Sequence, residues 1–303
     1  MSPIRRVLVT GGSGGIGTFV LHELAGRAAV RVFDRRPPTG PAEEYVEGDV
    51  LDLPDLTRAS QGMDAILHLA AIPNPFADPP ERIFPINVTG TFHACEAAVR
   101  AGVRRVVLTG SDSATGLAIK RVPVAPRYVP VDEAHPKVPS EVYGLTKVLV
   151  EEIGQAYARG HGLEVVCLCP VFVVLPGKEA QLPERGAERT SRNLWAYVEP
   201  ADVAQAFRLA LGLPAVSYES FLISAADTLS PIPSLELVRA AFGPVPEIRN
   251  PEWFVANPHA SLYDISKAKR LLGYQPRSDW RRLVPRTGGD PDVRVHRGER
   301  GER

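Results

Sequence analysis

Tyr143-Gly144-Leu145-Thr146-Lys147 sets a phenol and an ammonium four residues apart, on one face of any helix that carries them. A lysine cation draws a phenol's pKa down from about 10, and the phenolate then takes a hydroxyl proton while a hydride leaves the same carbon. Spacing alone does not settle the matter, because Tyr263-Asp264-Ile265-Ser266-Lys267 repeats it. Context separates the two. Tyr143 opens a helix-like segment 32 residues beyond a hydroxyl cluster, Ser111-Asp112-Ser113-Ala114-Thr115, and Tyr263 has no comparable cluster before it. A serine or threonine of that cluster would hydrogen-bond a substrate oxygen and stabilise the charge developing there. The same residue types also favour helix and turn caps, so the cluster by itself supports either reading.

Near the start of the chain, the apolar Val7-Leu8-Val9 runs into Gly11, Gly14 and Gly17, followed by a helix-like segment. Glycines at this spacing make the tight turn, admit a pyrophosphate close to the backbone and let helix and strand pack together. Gly11, Gly14, Gly15, Ile16 and Gly17 are therefore the candidate phosphate cradle at a helix N-terminus. A P-loop is the rival, since Gly12 and Gly17 have its spacing, but Thr18 stands where it needs a lysine. An acidic residue should end the next strand and take the ribose hydroxyls. Asp34 does so, 23 residues beyond Gly11. It favours NAD over NADP, although Arg35 and Arg36 could attract a 2′-phosphate.

Positioning these groups takes a layered scaffold. Apolar runs at 4–10, 29–34, 65–70, 103–109 and 163–169 alternate with helix-like segments near 16–27, 53–61, 80–101 and 141–160. Such alternation predicts an α/β fold, a Rossmann-type doubly wound parallel sheet covered on both faces. Past Cys169 the pattern breaks. A segment at 170–193 rich in Pro, Glu and Arg is followed by helix-like 200–212, a strand at 219–223 and helices near 233–242 and 265–272. The expected organisation is a dinucleotide-binding domain over 1–169 and a small substrate-side lobe with interleaved sheet elements over 170–285. A charged, glycine-rich tail at 286–303 is expected to be disordered.

The 303 residues carry zero formal net charge, with 29 arginines against six lysines, so no global field points to nucleic acid or an anionic membrane. Cys95, Cys167 and Cys169 are too few for a disulfide framework and fit small buried hydrophobes in a reducing compartment. The seven histidines form no HExxH or His/Cys cluster, so no metal site is expected. No signal peptide is evident and no apolar run reaches a membrane-spanning length of about 18 residues, which predicts a cytoplasmic protein.

Taken together these motifs resemble the NAD-dependent epimerase/dehydratase family of extended short-chain dehydrogenases/reductases over roughly residues 4–280. Thr10–Gly17 is similar to its TGxxGxxG, and Tyr143/Lys147 to its YxxxK. Tyr197-Val198-Glu199-Pro200-Ala201-Asp202-Val203-Ala204 resembles its YVxxxDVA-type segment, and Ser266 to Pro276 its closing segment. The resemblance implies cofactor contacts at Asp49 and Val50, at Leu69, Ala70 and Ala71, at Asn87, and at Tyr143 and Lys147. It places the catalytic hydroxyl five residues before Gly116, on Ser111, with Ser113 the alternative if the register shifts. A homodimer through the 80–101 and 141–160 helices is a further implication.

Two departures narrow the substrate. Cys169-Pro170-Val171-Phe172-Val173-Val174 lacks the arginine before the proline and the asparagine after it that nucleotide-sugar members use, and the late lobe is short. The nearest resemblance within the family is to uronate dehydrogenases. There an arginine before the YVxxxDVA-type segment holds the sugar carboxylate; Arg192 is the matching position and Arg189 its neighbour, although an arginine-rich loop also accounts for both. Asp112, where that group has serine, would alter the contacts to the substrate together with Ser113. The expectation is an NAD-dependent dehydrogenase of a small sugar or sugar acid working through Ser111, Tyr143 and Lys147. The alternatives are a nucleotide-sugar epimerase or dehydratase with tightly held NAD, and a catalytically silent dinucleotide-binding module.

Overall fold

The structure, a computed structural model, describes residues 3–119, 121–122, 124–188, 193–214, 216–243 and 246–284. The order is β1 (Arg6–Thr10), α1 (Gly15–Leu24), β2 (Ala29–Asp34), β3 (Glu44–Glu47), α2 (Leu53–Ser60) and β4 (Ala65–His68). There follow α3 (Pro80–Phe84), α4 (Gly90–Ala101), β5 (Arg105–Thr109), β6 (Tyr128–Val129), α5 (Val142–His161) and β7 (Glu164–Pro170). The chain continues with α6 (Leu182–Ala187), α7 (Pro200–Gly212), β8 (Tyr218–Ile223), α8 (Ser234–Phe242), β9 (Glu247–Ile248), α9 (Pro251–Ala256) and α10 (Trp280–Leu283).

Seven strands form one parallel sheet in the order β3-β2-β1-β4-β5-β7-β8. The chain builds outward from β1 to β3, then returns to the other side of β1 to lay down β4. The order reverses between β1 and β4, and ligands of open α/β sheets bind outside the strand ends at such a switch point. Strands buried on both faces read as continuous apolar runs: every residue of β4 and of β7 is buried. The edge strand β3, Glu44-Tyr45-Val46-Glu47, is half polar and exposed, which is why no apolar run announces it. The two-residue strands β6 and β9 pair in a separate small sheet.

The 80–101 stretch is one helical path rather than one α-helix. A π-helical turn at Pro85–Thr89 joins α3 to α4, at a proline that has no N–H for an α-helical bond. Beyond β7, a second apolar cluster of Val174, Leu182, Tyr197, Ala225 and Leu229 supports the late segments. Asp202 on α7 binds them from the other side: its Oδ2 accepts from Arg277 N at 2.7 Å, Ser278 N at 2.8 Å and Ser278 Oγ at 2.6 Å. Gln205 exchanges two bonds with the backbone of Gln275. α7 in turn packs on α1, with Arg208 Nε 2.5 Å from Glu23 Oε1. The tail at 286–303 lies outside the described residues, as do Arg189 and Arg192.

Candidate active site

The glycine turn after β1 is built by close approach. Gly11 adopts φ +73°, and a Cβ there would lie 2.5 Å from Ala70 N in the loop after β4. A Cβ on Gly17 would lie 2.4 Å from Gly11 O, so α1 starts with its axis pressed against the turn. The cleft above is lined by Gly11, Gly14, Asp34, Asp49, Val50, Leu69, Ala70 and Ala71. Gly15 packs toward Leu175, and Gly17 supports the turn from below. Asp34 is fixed at the lip, with Oδ2 accepting from Ser13 N at 3.0 Å and Oδ1 from Arg36 N at 3.3 Å. A cradle that a single Cβ would fill, with a helix N-terminus below and a carboxylate at its rim, fits a dinucleotide.

Four lining residues carried no motif and were missed: Ile72, Asp78, Arg82 and Ile86. They come from the loop after Ala71 and the helix it leads into, where an Arg82–Asp78 ion pair at 3.1 Å is the main polar feature. Asn87 stands behind the cleft and uses its amide as a clasp. Its Oδ1 accepts from Ile72 N at 2.8 Å, while Nδ2 donates to Ile72 O and to Thr146 Oγ1, both at 3.1 Å. It thus ties the loop after β4 to α5 one residue before Lys147.

α5 presents the phenol and the amine. Glu141 caps it, accepting from Tyr143 N at 2.7 Å and Gly144 N at 2.6 Å. Gly144 lets the helix approach the Ser111 turn, because a Cβ there would meet Ser113 O at 2.6 Å. Lys147 is 2% exposed and its Nζ donates to Thr109 O at 2.8 Å, 5.5 Å from the centre of the Tyr143 ring. Burial pulls its pKa down to about 8. Tyr143 is 7% exposed and hydrogen-bonded to Ser111. Its phenol is not drawn below the ordinary value: burial raises it, the Ser111 bond lowers it, and Asp112 and Glu141 raise it again. Desolvation outweighs any help from the neighbouring amine. His68, at the end of β4, bonds Thr10 Oγ1 through Nδ1 at 2.8 Å, and burial followed by the Lys147 charge holds its pKa at about 3. It is a neutral wall.

Ser111, Asp112 and Ser113 form a buried turn that continues into a 3-10 segment at Asp112–Thr115. Ser111 Oγ accepts from Ser113 N and donates to Asp112 Oδ1, both at 3.1 Å. Ser111 therefore meets Tyr143, whereas Asp112 lies 3% exposed behind it instead of presenting a free carboxylate to a substrate. The second YxxxK pair is wired differently. Tyr263 OH reaches Asp112 Oδ2 at 3.4 Å, and Lys267 Nζ bonds Ser220 O at 2.9 Å and Glu219 at 2.7 Å. Next to the undescribed 189–192 segment, Asn193, Leu194 and Trp195 all take positive φ (42°, 53° and 53°), strained backbone of the kind that gathers at functional loops. Asn193 also bonds Asp112. No helix among the described residues is long and apolar enough to cross a membrane.

Comparison with known proteins agrees with this geometry. The NAD dependent epimerase/dehydratase family matches residues 7–199. The chain is 31% identical to L-arabinose 1-dehydrogenase (NAD(P)(+)) of Haloferax volcanii over 234 residues, covering 73% of this chain and 89% of that one. It is 31% identical to uronate dehydrogenase of Pseudomonas putida over 172 residues, 55% and 60% of the two chains. A UDP-glucose 4-epimerase of Lacticaseibacillus casei is 25% identical over 315 residues, 90% of this chain and 92% of its own. A short-chain dehydrogenase/reductase superfamily structure from Agrobacterium tumefaciens with bound NAD superposes with TM-score 0.69 at 24% identity, covering 92% and 95% of the two chains. Uronate dehydrogenase from the same organism gives 0.65 at 22%, covering 95% and 91%. The switch-point cleft, the paired phenol and amine, and these likenesses lead to one conclusion: the chain belongs to the NAD-dependent epimerase/dehydratase family, an extended short-chain dehydrogenase/reductase of NAD(P)-dependent type.

Proposed function

We propose that the protein is an NAD-dependent dehydrogenase that oxidises a hydroxyl carbon of a small sugar or sugar acid, with Ser111, Tyr143 and Lys147 as its catalytic residues. The observation that carries the reading is the meeting of Ser111 and Tyr143 beside buried Lys147, at the edge of a cleft fitted to a dinucleotide. Similarity to enzymes named as arabinose and uronate dehydrogenases supports the substrate class. Gly11, Gly14, Gly15, Ile16 and Gly17 would hold the pyrophosphate, Asp34 the ribose hydroxyls, and Asp49, Val50 and Leu69–Ala71 the rest of the dinucleotide, with Asn87 holding the walls together. Bound there, the oxidised nicotinamide supplies the hydride acceptor and a positive charge near the phenol. Tyr143 Oη then takes the hydroxyl proton, Ser111 positions the reacting oxygen, and Lys147 keeps its amine under both. Residues 170–285 would form the substrate side, with Arg192 forked onto a substrate carboxylate.

A screen of pentoses, hexoses and their acids with NAD tests the reading: NADH should accumulate with at least one of them. The length-wide likeness to a UDP-glucose 4-epimerase keeps a second reading open, and there product isomers would form without net NADH. Asp34→Ala should narrow the preference for NAD over NADP by about tenfold, the worth of one charge-assisted hydrogen bond. A wild-type preference for NADP in a binding titration would move cofactor selection to Arg35 and Arg36. If the substrate is acidic, Arg192→Lys should raise KM and leave NAD binding unchanged.

A further inference from the structure

We infer that Asp112 is the proton acceptor behind the Tyr143–Ser111 pair, a positioning and proton-holding residue fastened by Tyr263. The inference rests on the dehydrogenase reading above. Its geometry is a one-way chain of hydroxyls. Ser111 Oγ has one proton, and at 3.1 Å that proton points to Asp112 Oδ1. The lone pairs of Oγ therefore face Ser113 N–H and the Tyr143 hydroxyl. On the far side of the carboxylate, Tyr263 OH donates to Oδ2. All the groups that bond Asp112 are neutral: two hydroxyls, the Asn193 amide and the Ser113 N–H. A buried carboxylate held by neutral donors alone binds a proton near neutrality, and burial pushes Asp112 up to about 7, with the bonds from Ser111, Tyr263 and Asn193 opposing that rise.

The transfer balances. Asp112 Oδ1 takes the Ser111 Oγ proton, Ser111 takes the Tyr143 Oη proton, and Tyr143 takes the proton of the substrate hydroxyl. Each O–H bond that breaks leaves its electron pair on oxygen. The substrate C–H bond breaks with its pair going, as hydride, to the oxidised dinucleotide. Ser111 and Tyr143 end as they began, the substrate becomes a carbonyl compound, and Asp112 becomes a neutral acid. The phenol thus acts as a base although burial disfavours a free phenolate. The carboxyl has a way to discharge. A cavity of about 20 Å³, room for about one water, adjoins Asp112 and is walled by charged side chains of the 132–137 loop and α5. The titratable groups facing Asp112 are Tyr143, Tyr263, Cys169 and, across this cavity, Asp132, Glu133, His135, Lys137 and Glu151. Lys137 and Glu151 pair with each other at 2.5 Å, and Asp132 Oδ1 accepts from Tyr128 OH at 2.5 Å.

The test reads the proton directly and then the rate. Infrared titration of the full-length protein should show a protonated-carboxyl band that is lost with a midpoint near 7 and is missing from Asp112→Asn. Tyr263→Phe should move that midpoint to higher pH, since it removes a bond that favours the carboxylate. With the best sugar found, Asp112→Asn should lower kcat by roughly 10²-fold and abolish the rise of kcat near pH 7, with NAD affinity unchanged. Normal turnover and an unaltered pH profile in Asp112→Asn would overturn the proton-acceptor assignment and leave the dehydrogenase reading standing. A wild type that binds NAD and oxidises no sugar overturns the reading itself. Should Asp112→Asn not fold, Tyr263→Phe decides: an unmoved midpoint refutes the proposal.

Discussion

The chain contains the same five-residue pattern twice, and the two copies have different surroundings. Tyr143 and Lys147 sit on a 20-residue helix capped by Glu141, beside a buried serine and the edge of the cleft. Tyr263 and Lys267 sit on the late segment, where the phenol bonds Asp112 and the amine is taken up by Glu219 and Ser220. Spacing put each phenol and amine on one face of its element, and packing decided what that face meets. In the first copy the amine lies deep enough for burial to pull its pKa down; in the second it is a partly exposed ion pair.

The contrast breaks most sharply at Tyr143. Tyr143→Phe keeps the ring and removes the proton acceptor, so kcat should fall by roughly 10²–10⁴ with NAD affinity intact; a variant near wild-type turnover would hand the chemistry to Tyr263. Asn87→Ala should come next, lowering kcat by roughly tenfold by loosening the clasp between the Ile72 loop and α5, a positioning effect. It should show no change in the pH profile, which separates it from loss of a proton carrier.

Lys147 offers a test that needs no substrate. Its pKa falls from 10.5 to about 8 on burial, so between those values the unfolded chain binds more protons than the folded one. Stability should therefore rise as pH climbs from about 8 toward 10, and the penalty of burying the charge should be fully present below 8. Urea midpoints compared with Lys147→Met, which lacks the titration, should show that rise in the wild type alone. Lys267→Met should do least. Its ion pair with Glu219 is partly exposed, and such pairs contribute about 0–1 kcal/mol, so kcat should stay within about twofold; a larger loss would mean that the two copies are not separate in role.

What the sequence disclosed follows the range of the interactions. Strands β1, β2, β4, β5, β7 and β8 announce themselves because central parallel strands must be apolar throughout, and the glycine turn because close backbone contact tolerates no side chain. Strand β3 hides behind two glutamates, and β6 and β9 are too short to show a period. Residues with a motif were found; Ile72, Asp78, Arg82 and Ile86, which reach the cleft through loop geometry, were not. Asp112 was assigned to the substrate from its neighbours in sequence, but its partner Tyr263 is 151 residues away, and a local pattern carries no trace of such a contact.

The clasp of Asp202 and Gln205 on residues 275–278 has a mechanical consequence. The late segment is riveted to α7, α7 is bolted to α1 through Arg208 and Glu23, and α1 begins at the glycine turn. A pull or a bulky fusion just after residue 278 is transmitted along three rigid parts to the floor of the dinucleotide cleft, so the late segment serves as a lever on the site as well as a cover for the sheet.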